Sequence, residues 1–398
     1  MIHIKSKEQC CGCSACLHIC PKHSISFKED KEGFLYPEID TKTCVDCGLC
    51  EKVCPVINQD NERLPLKVFA AKHPDDEIRM SSSSGGIFTL LAEQIIDEGG
   101  VVFGAKFNDN WEVVHDFAET KDGLIPFRGS KYVQSRIGDS YTIAESFLKS
   151  GRKVMFTGTP CQIAGLKKYL RNEYENLLAV DFVCHGVPSP MVWRKYLQEE
   201  IARHGEVGKN TVLTSPKEMP VLTGINFRDK STGWKKYSFA LSFSKSPDAG
   251  GQNTILSSEF YNNPYMQAFL SNLSLRQSCY SCAAKSGKSG ADITIGDFWG
   301  IENVMSTEDD DKGVSLVLIW EIDKIYDFNA HLHEVIYADA IRGNACICDS
   351  VAIPVNRLYF LRNIDCKGFV KSLRESQSRS LFFRVKRTLF RKIGTCKL

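Results

Sequence analysis

The 398-residue chain is 43% hydrophobic and 25% charged, with a formal net charge of +2, which is the composition of an ordinary globular protein. No apolar run approaches the roughly 18 residues that a membrane-spanning helix requires. The first residues, MIHIKSKEQC, lack the apolar core of a signal peptide. We therefore expect a cytoplasmic protein, in which thiols stay reduced, so the 17 cysteines indicate metal ligation and not a disulfide framework.

One cysteine pattern occurs twice in the first 54 residues, with a period of 34 residues. Each copy reads C-x2-C-x2-C-x3-C followed by Pro: Cys10, Cys13, Cys16 and Cys20, then Cys44, Cys47, Cys50 and Cys54. Three cysteines at this spacing can wrap one cubane, while the fourth is carried by a short helix to the other cluster. The pattern predicts two 4Fe–4S clusters: one on Cys10, Cys13, Cys16 and Cys54, and one on Cys44, Cys47, Cys50 and Cys20.

Residues 4–58 resemble a bacterial two-cluster ferredoxin module. The alternative is a pair of zinc sites, but those usually consist of CxxC pairs separated by a longer loop. Cys11 is extra to the pattern and is interpreted as a bystander. Within each half, SISF and FLYPEI predict the strands of a small hairpin. A module of this kind carries electrons and holds almost no substrate, so the rest of the chain must supply a second redox centre.

Residues 61–66, NERLPL, read as a linker to a larger body. There the strand KVFAAKH leads through SSSSGG into an amphipathic helix, and the strand VVFGAKF follows. This alternation predicts a mixed α/β fold. The hydroxyls and backbone N–H groups at the start of the helix form a candidate cradle for a flavin phosphate, at Ser83, Ser84, Gly85 and Gly86. The alternative is a serine-rich helix cap that binds nothing.

Four cysteines of the body have positions that suit a third cluster. Cys161, in TGTPCQIAGL, lies between a buried strand and the first turn of a helix, where we expect the pKa of its thiol to be lowered. Cys184, in DFVCHGVPSP, follows the next strand, and such strand ends share one edge of a sheet. Cys279 and Cys282 form a CxxC pair that lacks two ligands. We predict a 4Fe–4S cluster on these four; the alternatives are a nucleophilic or redox thiol, with His185 as its base, and simple packing.

Four further cysteines show no ligand spacing: Cys346, Cys348, Cys366 and Cys396. The Cys346-x-Cys348 pair predicts packing within a strand. His185 is expected to be a structural hydrogen-bond donor, and Trp299 a core residue. Asp297 is a candidate helix cap or flavin-ribose contact.

At these motifs the chain resembles the beta-subunit family of coenzyme F(420) hydrogenases and dehydrogenases. The matching stretches, in order over residues 66–305, are SSSSGGIFTLL, GSKYVQS, FTGTPCQIAGL, DFVCHGVPSP, CYSC and ADITIGDFWG. The resemblance implies a flavoprotein with FAD and an iron–sulfur cluster in the body. Within the matching stretches it implies further flavin contacts at Lys131, Gln134, Thr157, Gly158, Thr159 and Gln162.

The sequence therefore predicts an iron–sulfur flavoprotein oxidoreductase, because FAD links one-electron clusters to two-electron chemistry. Electrons would pass between the clusters and FAD to or from a small organic acceptor, of deazaflavin type or another, and in either direction. The alternative is a non-catalytic electron-transfer subunit that works with a ferredoxin or a partner redox subunit. The sequence identifies neither a catalytic residue nor the acceptor, since fold and cofactor do not fix the substrate.

The predicted divisions are residues 1–60 for the ferredoxin domain, 61–150 and 151–366 for the two parts of the flavin-binding body, and 367–398 for a basic tail. The tail has ten Lys or Arg and one acidic residue, so it carries +9 and residues 1–366 carry −7. The acidic body gives no sign of nucleic-acid binding. Ser380–Ile393 predicts a basic amphipathic helix that either docks on the body or contacts an anionic membrane surface.

Overall fold

The computed structural model describes residues 1–205, 221–244, 254–321 and 330–378. These residues contain ten helices with the following bounds: α1 Ala15–His18, α2 Leu49–Lys52, α3 Asp76–Ser81, α4 Ile87–Asp97, α5 Ser140–Lys149, α6 Pro160–Leu170, α7 Pro190–Gly205, α8 Pro264–Leu270, α9 Tyr337–Gly343 and α10 Arg357–Lys367. A further helix covers residues 369–378. No helix in these ranges is both long and apolar enough to cross a membrane.

The same ranges contain thirteen strands: β1 Ile25–Glu29, β2 Leu35–Ile39, β3 Lys67–Lys72, β4 Val101–Phe107, β5 Val113–Ala118, β6 Val154–Gly158, β7 Leu177–Phe182, β8 Val221–Asp229, β9 Ser238–Ser244, β10 Thr254–Glu259, β11 Ile293–Asp297, β12 Ser315–Ile319 and β13 His331–Glu334. They form a hairpin, a three-stranded sheet and an eight-stranded sheet. The predicted mixed α/β fold, with a small ferredoxin-like part before a larger body, is confirmed.

The first 58 residues form the ferredoxin unit, in which the one-turn helices α1 and α2 lie beside the antiparallel hairpin β1–β2. The predicted hairpin strands are therefore confirmed. The buried core of this unit consists of Ile2, Ile25 and three cysteine side chains. A unit of this size buries little apolar surface, so it needs a further source of stability such as a bound metal centre.

The eight-stranded sheet organises the body, with strand order β13-β3-β12-β11-β7-β6-β4-β5. Its central strands β4, β6, β7 and β11 are parallel, and the outer pairings are antiparallel. Strand β6 is buried along its whole length, as expected for a parallel strand covered on both faces. Helix α4 packs on one face, and helices α5 and α6 pack on the other.

The three-stranded antiparallel sheet β8–β9–β10 packs with α7, α8 and α10 around a second core. Aromatic rings dominate this core, with Trp193 stacked edge-on against Tyr265 and close to Phe227. The eight-stranded sheet takes strands from both sides of residue 150, so the two predicted parts of the body share one framework.

The ferredoxin unit is fixed tightly to the body. Helix α1 lies on α6, where a Cβ on Gly165 would come within 2.7 Å of the Cβ of Cys13, so only glycine permits this approach. On another side, the buried guanidinium of Arg357 forms an ion pair of 2.6 Å with Glu32. The two units are therefore held in one fixed arrangement by packing and by charge.

Residues 369–378, the first part of the predicted basic tail, belong to this packed body. Phe369 and Leu373 are buried in the aromatic core, and the amide of Asn356 donates to the carbonyl of Ser376. The segment Ser380–Ile393, for which an amphipathic helix was predicted, lies outside the described residues.

Replacing Phe369 tests the structural role of this helix. Phe369→Ala should lower the free energy of unfolding by about 3–5 kcal/mol, the usual cost of emptying a buried phenyl site. The measurement is anaerobic urea unfolding followed by tryptophan fluorescence. Leu358→Ala, at a side chain that is 53% exposed, is the control and should change stability by less than about 0.5 kcal/mol. Equal midpoints for Phe369→Ala and the unmodified chain would contradict the packing.

Candidate metal centres and cofactor cavity

The first predicted cluster set lies at the interface between the ferredoxin unit and the body. Cys10, Cys13, Cys16 and Cys54 are all buried. Burial raises the pKa of the Cys16 thiol, and the neighbouring thiols of Cys10 and Cys54 raise it further. The structure therefore brings together three cysteines of the first repeat and one of the second.

The second predicted set lies at the surface of the ferredoxin unit. Its four members line one small pocket: Cys20, Cys44, Cys47 and Cys50. Backbone N–H groups donate to two of the sulfurs, from Ile2 to Cys50 at 3.2 Å and from Ser24 to Cys20 at 3.4 Å. Cys47 is exposed, so this set is open to solvent and to other molecules.

The four predicted cysteines of the body also converge. Cys161 is the second residue of α6, which begins after β6 as predicted; a capping box of Thr159 and Gln162 fixes this helix start. Cys184 follows the parallel neighbour β7, so both thiols lie at one edge of the sheet. Cys161, Cys279 and Cys282 line one small pocket, and these three thiols lie close enough to Cys184 to raise its pKa, although burial raises it most.

The pKa of Cys161 is opposite to the expectation from the helix N-terminus. A hydrogen bond to Cys11 raises the pKa well above its usual value, and burial raises it further. These effects outweigh the helix dipole, so Cys161 is not a free thiolate nucleophile. Cys11, interpreted from sequence as a bystander, lies between the two sets and interacts with both Cys13 and Cys161.

These donor sets suit clusters better than single ions. Across the described ranges, no three side chains of His, Cys, Asp or Glu converge for one metal ion. Crowded, buried thiols with raised pKa values keep their protons unless a metal centre replaces them, since metal binding requires the thiolate. Four thiols spread around each small space fit a cubane, whose irons lie apart from one another.

A cavity of about 750 Å³ lies beside the body cysteines, at the carboxyl edge of the parallel strands. Its wall includes Thr157–Thr159 after β6, Phe182–Pro188 after β7 and Ile295–Asp297 on β11. This edge is where open α/β sheets usually bind ligands, and the volume is that of an ordinary cofactor site. Cys184 lies on the cavity wall, so the third cysteine set borders this space.

Eight of the ten predicted flavin contacts line the cavity: Ser83, Ser84, Gly86, Lys131, Thr157, Gly158, Thr159 and Gln162. Gly85 and Gln134 do not. The N–H of Gly85 donates to the hydroxyl of Ser315 at 2.9 Å, and a Cβ at Gly85 would lie 2.4 Å from the carbonyl oxygen of Ala71. The amide of Gln134 points to the ferredoxin unit, where it donates to the carbonyl of Cys11 at 3.1 Å.

The serine-rich turn before α4 forms one end of the cavity. Ser83 accepts hydrogen bonds from the backbone N–H of Ser130 at 2.6 Å and from its hydroxyl at 2.8 Å. Ser84 donates to the carbonyl of Val314 at 2.8 Å. The hydroxyls therefore hold the turn in place, and any phosphate here would be bound mainly by backbone N–H groups.

Arg228 and His115 are polar wall residues that the sequence analysis missed, because neither lies in a recognisable motif. Arg228 forms a two-pronged ion pair with Asp297, at 2.8 and 3.1 Å, and its guanidinium lies 4.0 Å from the ring centre of Tyr237. Asp297 thus orients an arginine and caps no helix. His115 donates from Nε2 to the carbonyl of Thr157, and burial lowers the pKa of the ring to about 4, so the ring is neutral.

Two buried nitrogen atoms on this wall, Nδ1 of His115 and Nε of Arg228, have no hydrogen-bond partner among the described residues. Buried polar atoms are usually paired in native proteins. Their presence on the wall fits a bound polar molecule that pairs with them.

Cys346 and His185 form a pair on the cavity wall. The prediction that Cys346 and Cys348 pack within a strand is wrong, since Cys346 lies in the 3-10 turn Ala345–Ile347. Its Sγ is 3.7 Å from Nδ1 of His185, whose Nε2 is 2.6 Å from Oδ1 of Asn272. The expectation of a structural hydrogen bond at His185 agrees with this contact. Trp299 lies on the wall and stacks on Trp234 at 4.8 Å between ring centres.

Lys131 is buried where the cavity meets the turn that follows Phe127. Its ammonium group donates to three backbone carbonyls, of Phe127, Arg128 and Gly129. No carboxylate is among these partners, and burial lowers the pKa of Lys131 to about 7. A negative charge in the cavity would therefore stabilise its protonated form.

Such thiol sets, in a ferredoxin repeat fixed to a body with a cofactor-sized cavity, are typical of iron–sulfur redox proteins. Residues 9–58 match the family model of the 4Fe-4S dicluster domain. Residues 68–139 and 151–327 match the N-terminal and C-terminal models of the coenzyme F(420) hydrogenase/dehydrogenase beta subunit. The chain belongs to this family, which confirms the resemblance and the iron–sulfur, electron-transfer class.

Individual relatives are distant. The chain is 25% identical over 185 residues to a subunit of the F(420)H(2) dehydrogenase of Methanosarcina mazei, a match that covers 44% of this chain and 52% of the relative. It is 24% identical over 190 residues to the coenzyme F(420)-dependent sulfite reductase of Methanocaldococcus jannaschii, covering 47% of this chain and 29% of that protein. The chain thus spans about half or less of these curated relatives.

Among solved structures, a chain of the xenon-derivatised F(420)-reducing [NiFe] hydrogenase complex of Methanosarcina barkeri is similar at 20% identity. The superposition covers 67% of this chain and 78% of that one, with a TM-score of 0.40. A likeness at this level is too loose to say anything about the site.

Proposed function

We propose that the chain is an iron–sulfur flavoprotein oxidoreductase that exchanges electrons between three 4Fe–4S clusters, FAD and a small organic acceptor or donor. One observation carries this proposal: the body cysteines border both the ferredoxin unit and the cavity. Cys161 is hydrogen-bonded to Cys11 of the ferredoxin unit, and Cys184 lies on the cavity wall. A cluster on this set would therefore connect the two.

The residues of the cavity fit FAD. The turn before α4 offers backbone N–H groups to a phosphate, next to the buried ammonium of Lys131. The unpartnered nitrogens of His115 and Arg228 offer polar contacts elsewhere on the wall. When bound, FAD would supply the conversion between one-electron and two-electron chemistry.

The side chains of the wall prepare this space for redox chemistry. The paired rings of Trp299 and Trp234 and the apolar residues Val113, Phe127 and Phe269 limit the water that reaches it. Arg228, held by Asp297, fixes one positive charge at the wall. A substrate that carries negative charge is therefore favoured over a cation.

A protein partner for electron exchange is supported by the second cysteine set. Cys47 is exposed, and the pocket that it lines with Cys20, Cys44 and Cys50 lies at the protein surface. A ferredoxin or a partner redox subunit could approach a cluster there closely enough to pass one electron at a time. The same exposed set suits the second candidate function, a non-catalytic electron-transfer subunit of a larger complex.

Cofactor analysis of the full chain purified without oxygen tests the proposal. Three clusters and one flavin predict about twelve iron, about twelve sulfide and one FAD per chain, at four iron per cluster. About eight iron with FAD present would remove the body cluster. Clusters without any flavin would favour the non-catalytic subunit.

The pH dependence of FAD affinity tests the role of Lys131. With the pKa of Lys131 near 7, its ammonium is charged below that pH and neutral above it. An anionic ligand raises this pKa, so FAD affinity should be constant below pH 7 and should fall by up to about tenfold per pH unit between pH 7 and 9. The measurement is fluorescence titration of flavin-depleted protein.

Lys131→Met should remove this slope. Lys121→Met, at an exposed lysine paired with Asp97, should retain it. A slope that persists in Lys131→Met would assign the pH dependence to another group and would contradict the contact between Lys131 and FAD.

A further inference from the structure

Arg276 is a body residue whose charged group lies inside the ferredoxin unit. Its side chain is 1% exposed. Its guanidinium donates to the carbonyls of Cys10 at 2.8 Å and Leu35 at 2.9 Å, to the amide oxygen of Gln134 at 3.0 Å, and to the sulfur of Cys10 at 3.5 Å. The fork of this arginine thus reaches a predicted ligand of the first cluster.

Other deeply buried arginines of this protein are neutralised by carboxylates. Arg79 pairs with Asp310, Arg228 with Asp297 and Arg357 with Glu32. Arg276 differs, because within the described ranges it pairs with no carboxylate, and its charged neighbours are thiols. Burial alone would lower the pKa of Arg276, but Cys10, Tyr36, Cys11 and Cys279 outweigh it and hold the pKa above its usual value.

The chain around Arg276 is shaped to hold this charge. Gly12, between Cys11 and Cys13, has a φ of +74°, and a Cβ there would lie 2.8 Å from Nη1 of Arg276. The glycine of the CCGC sequence therefore makes room for the guanidinium. The ring of Tyr36 covers the guanidinium at 4.3 Å from the ring centre. A buried cation without a counter-charge is strongly destabilising, so this arrangement requires a negative group nearby.

We propose that Arg276 is the counter-ion of the 4Fe–4S cluster on Cys10, Cys13, Cys16 and Cys54 and that it raises the reduction potential of that cluster. The inference rests on the proposed function, which supplies the cluster. Reduction adds one electron, taken from the external reductant, and makes or breaks no bond. The added negative charge is stabilised by the fixed positive charge of Arg276, in a site shielded from water.

This charge gives the two ferredoxin clusters different roles. The surface set, with Cys47 exposed, has no such arginine among the hydrogen-bond donors to its sulfurs in the described residues. The inner cluster therefore accepts electrons more readily than the outer one. Arg276 also lies close to Cys279 of the body set, so its charge favours electron transfer inwards, from the surface to the cavity.

The test is an anaerobic redox titration monitored by electron paramagnetic resonance, with dithionite as the reductant. In Arg276→Gln and Arg276→Met, the inner cluster should have at least a tenfold lower ratio of reduced to oxidised form at a fixed potential, which is a fall of 59 mV or more for a one-electron couple. The outer cluster should be unchanged, and Cys47→Ser assigns its signal.

Two further variants separate charge from structure. Arg276→Lys keeps the charge without the fork and should have a higher potential than the two neutral variants. Arg357→Gln also removes a buried arginine from the interface, but one neutralised by Glu32, so it should leave the inner potential unchanged.

Equal potentials in the unmodified chain and both neutral variants would overturn the inference. So would equal potentials in Arg276→Lys and Arg276→Gln. If the neutral variants release the inner cluster, Arg276→Lys should retain it; loss from that variant as well would make Arg276 purely structural. An unmodified chain without iron on the first cysteine set would instead refute the proposed function.

Discussion

Cys161→Ser is expected to lower the iron content of the full chain from about twelve to about eight per chain, with a matching loss of sulfide. Cys161 shares a small pocket with Cys279 and Cys282, and its thiol lies close to Cys184, so its loss removes one of the four ligands of the body cluster. The two ferredoxin clusters should remain, because their eight cysteines are untouched. FAD should also remain bound, but reduction of the flavin by the ferredoxin clusters should fall to background.

The matched control is Cys366→Ser. Cys366 is exposed on α10 and lies near no other cysteine set, so its replacement should leave iron, sulfide and flavin reduction unchanged. If Cys161→Ser instead keeps about twelve iron and full flavin reduction, Cys161 is not a ligand and the body cluster does not connect the two units.

Ser83→Asp is expected to release FAD while the protein stays folded and keeps its iron. An aspartate at this position can still accept the hydrogen bonds from the backbone N–H and hydroxyl of Ser130. It also adds a negative charge where a flavin phosphate is proposed to bind. Two unit charges about 4 Å apart near a protein surface repel by roughly 4 kcal/mol, so affinity should fall by between about tenfold and a thousandfold.

Ser83→Asn is the control for this effect, since asparagine has the same shape as aspartate without the charge. It should bind FAD within a few-fold of the unmodified chain when both are titrated by flavin fluorescence. Equal loss of affinity in both variants would indicate a steric effect, and no loss in either would move the phosphate away from the turn before α4.

Local sequence patterns predicted much of this molecule because their causes are local. The C-x2-C-x2-C-x3-C spacing determines which thiols of a short loop can face one cluster. The buried run before Cys161 and the capping residues after it determine where β6 ends and α6 begins. Because β6 and β7 are parallel neighbours, Cys161 and Cys184 had to lie at the same edge of the sheet.

Contacts made between distant parts of the chain were not predictable in this way. Cys11 gains its position from α6, and Arg276 gains its position from a loop more than 260 residues away in the sequence. Arg228 and His115 belong to strands without a motif and reach the cavity only through the assembled sheets. The strongly basic composition after residue 366 concealed the buried Phe369 and Leu373, because a count of charges does not show which face of a helix is packed.

The central claim is that the body cysteines carry electrons between the ferredoxin unit and the flavin in the cavity. Rapid mixing of the FAD-loaded, oxygen-free chain with reduced methyl viologen tests it most directly, with the absorbance of the clusters and of the flavin followed separately. The account predicts that cluster reduction precedes flavin reduction in the unmodified chain and that only cluster reduction occurs in Cys161→Ser. Flavin reduction at the same rate in both proteins would contradict it.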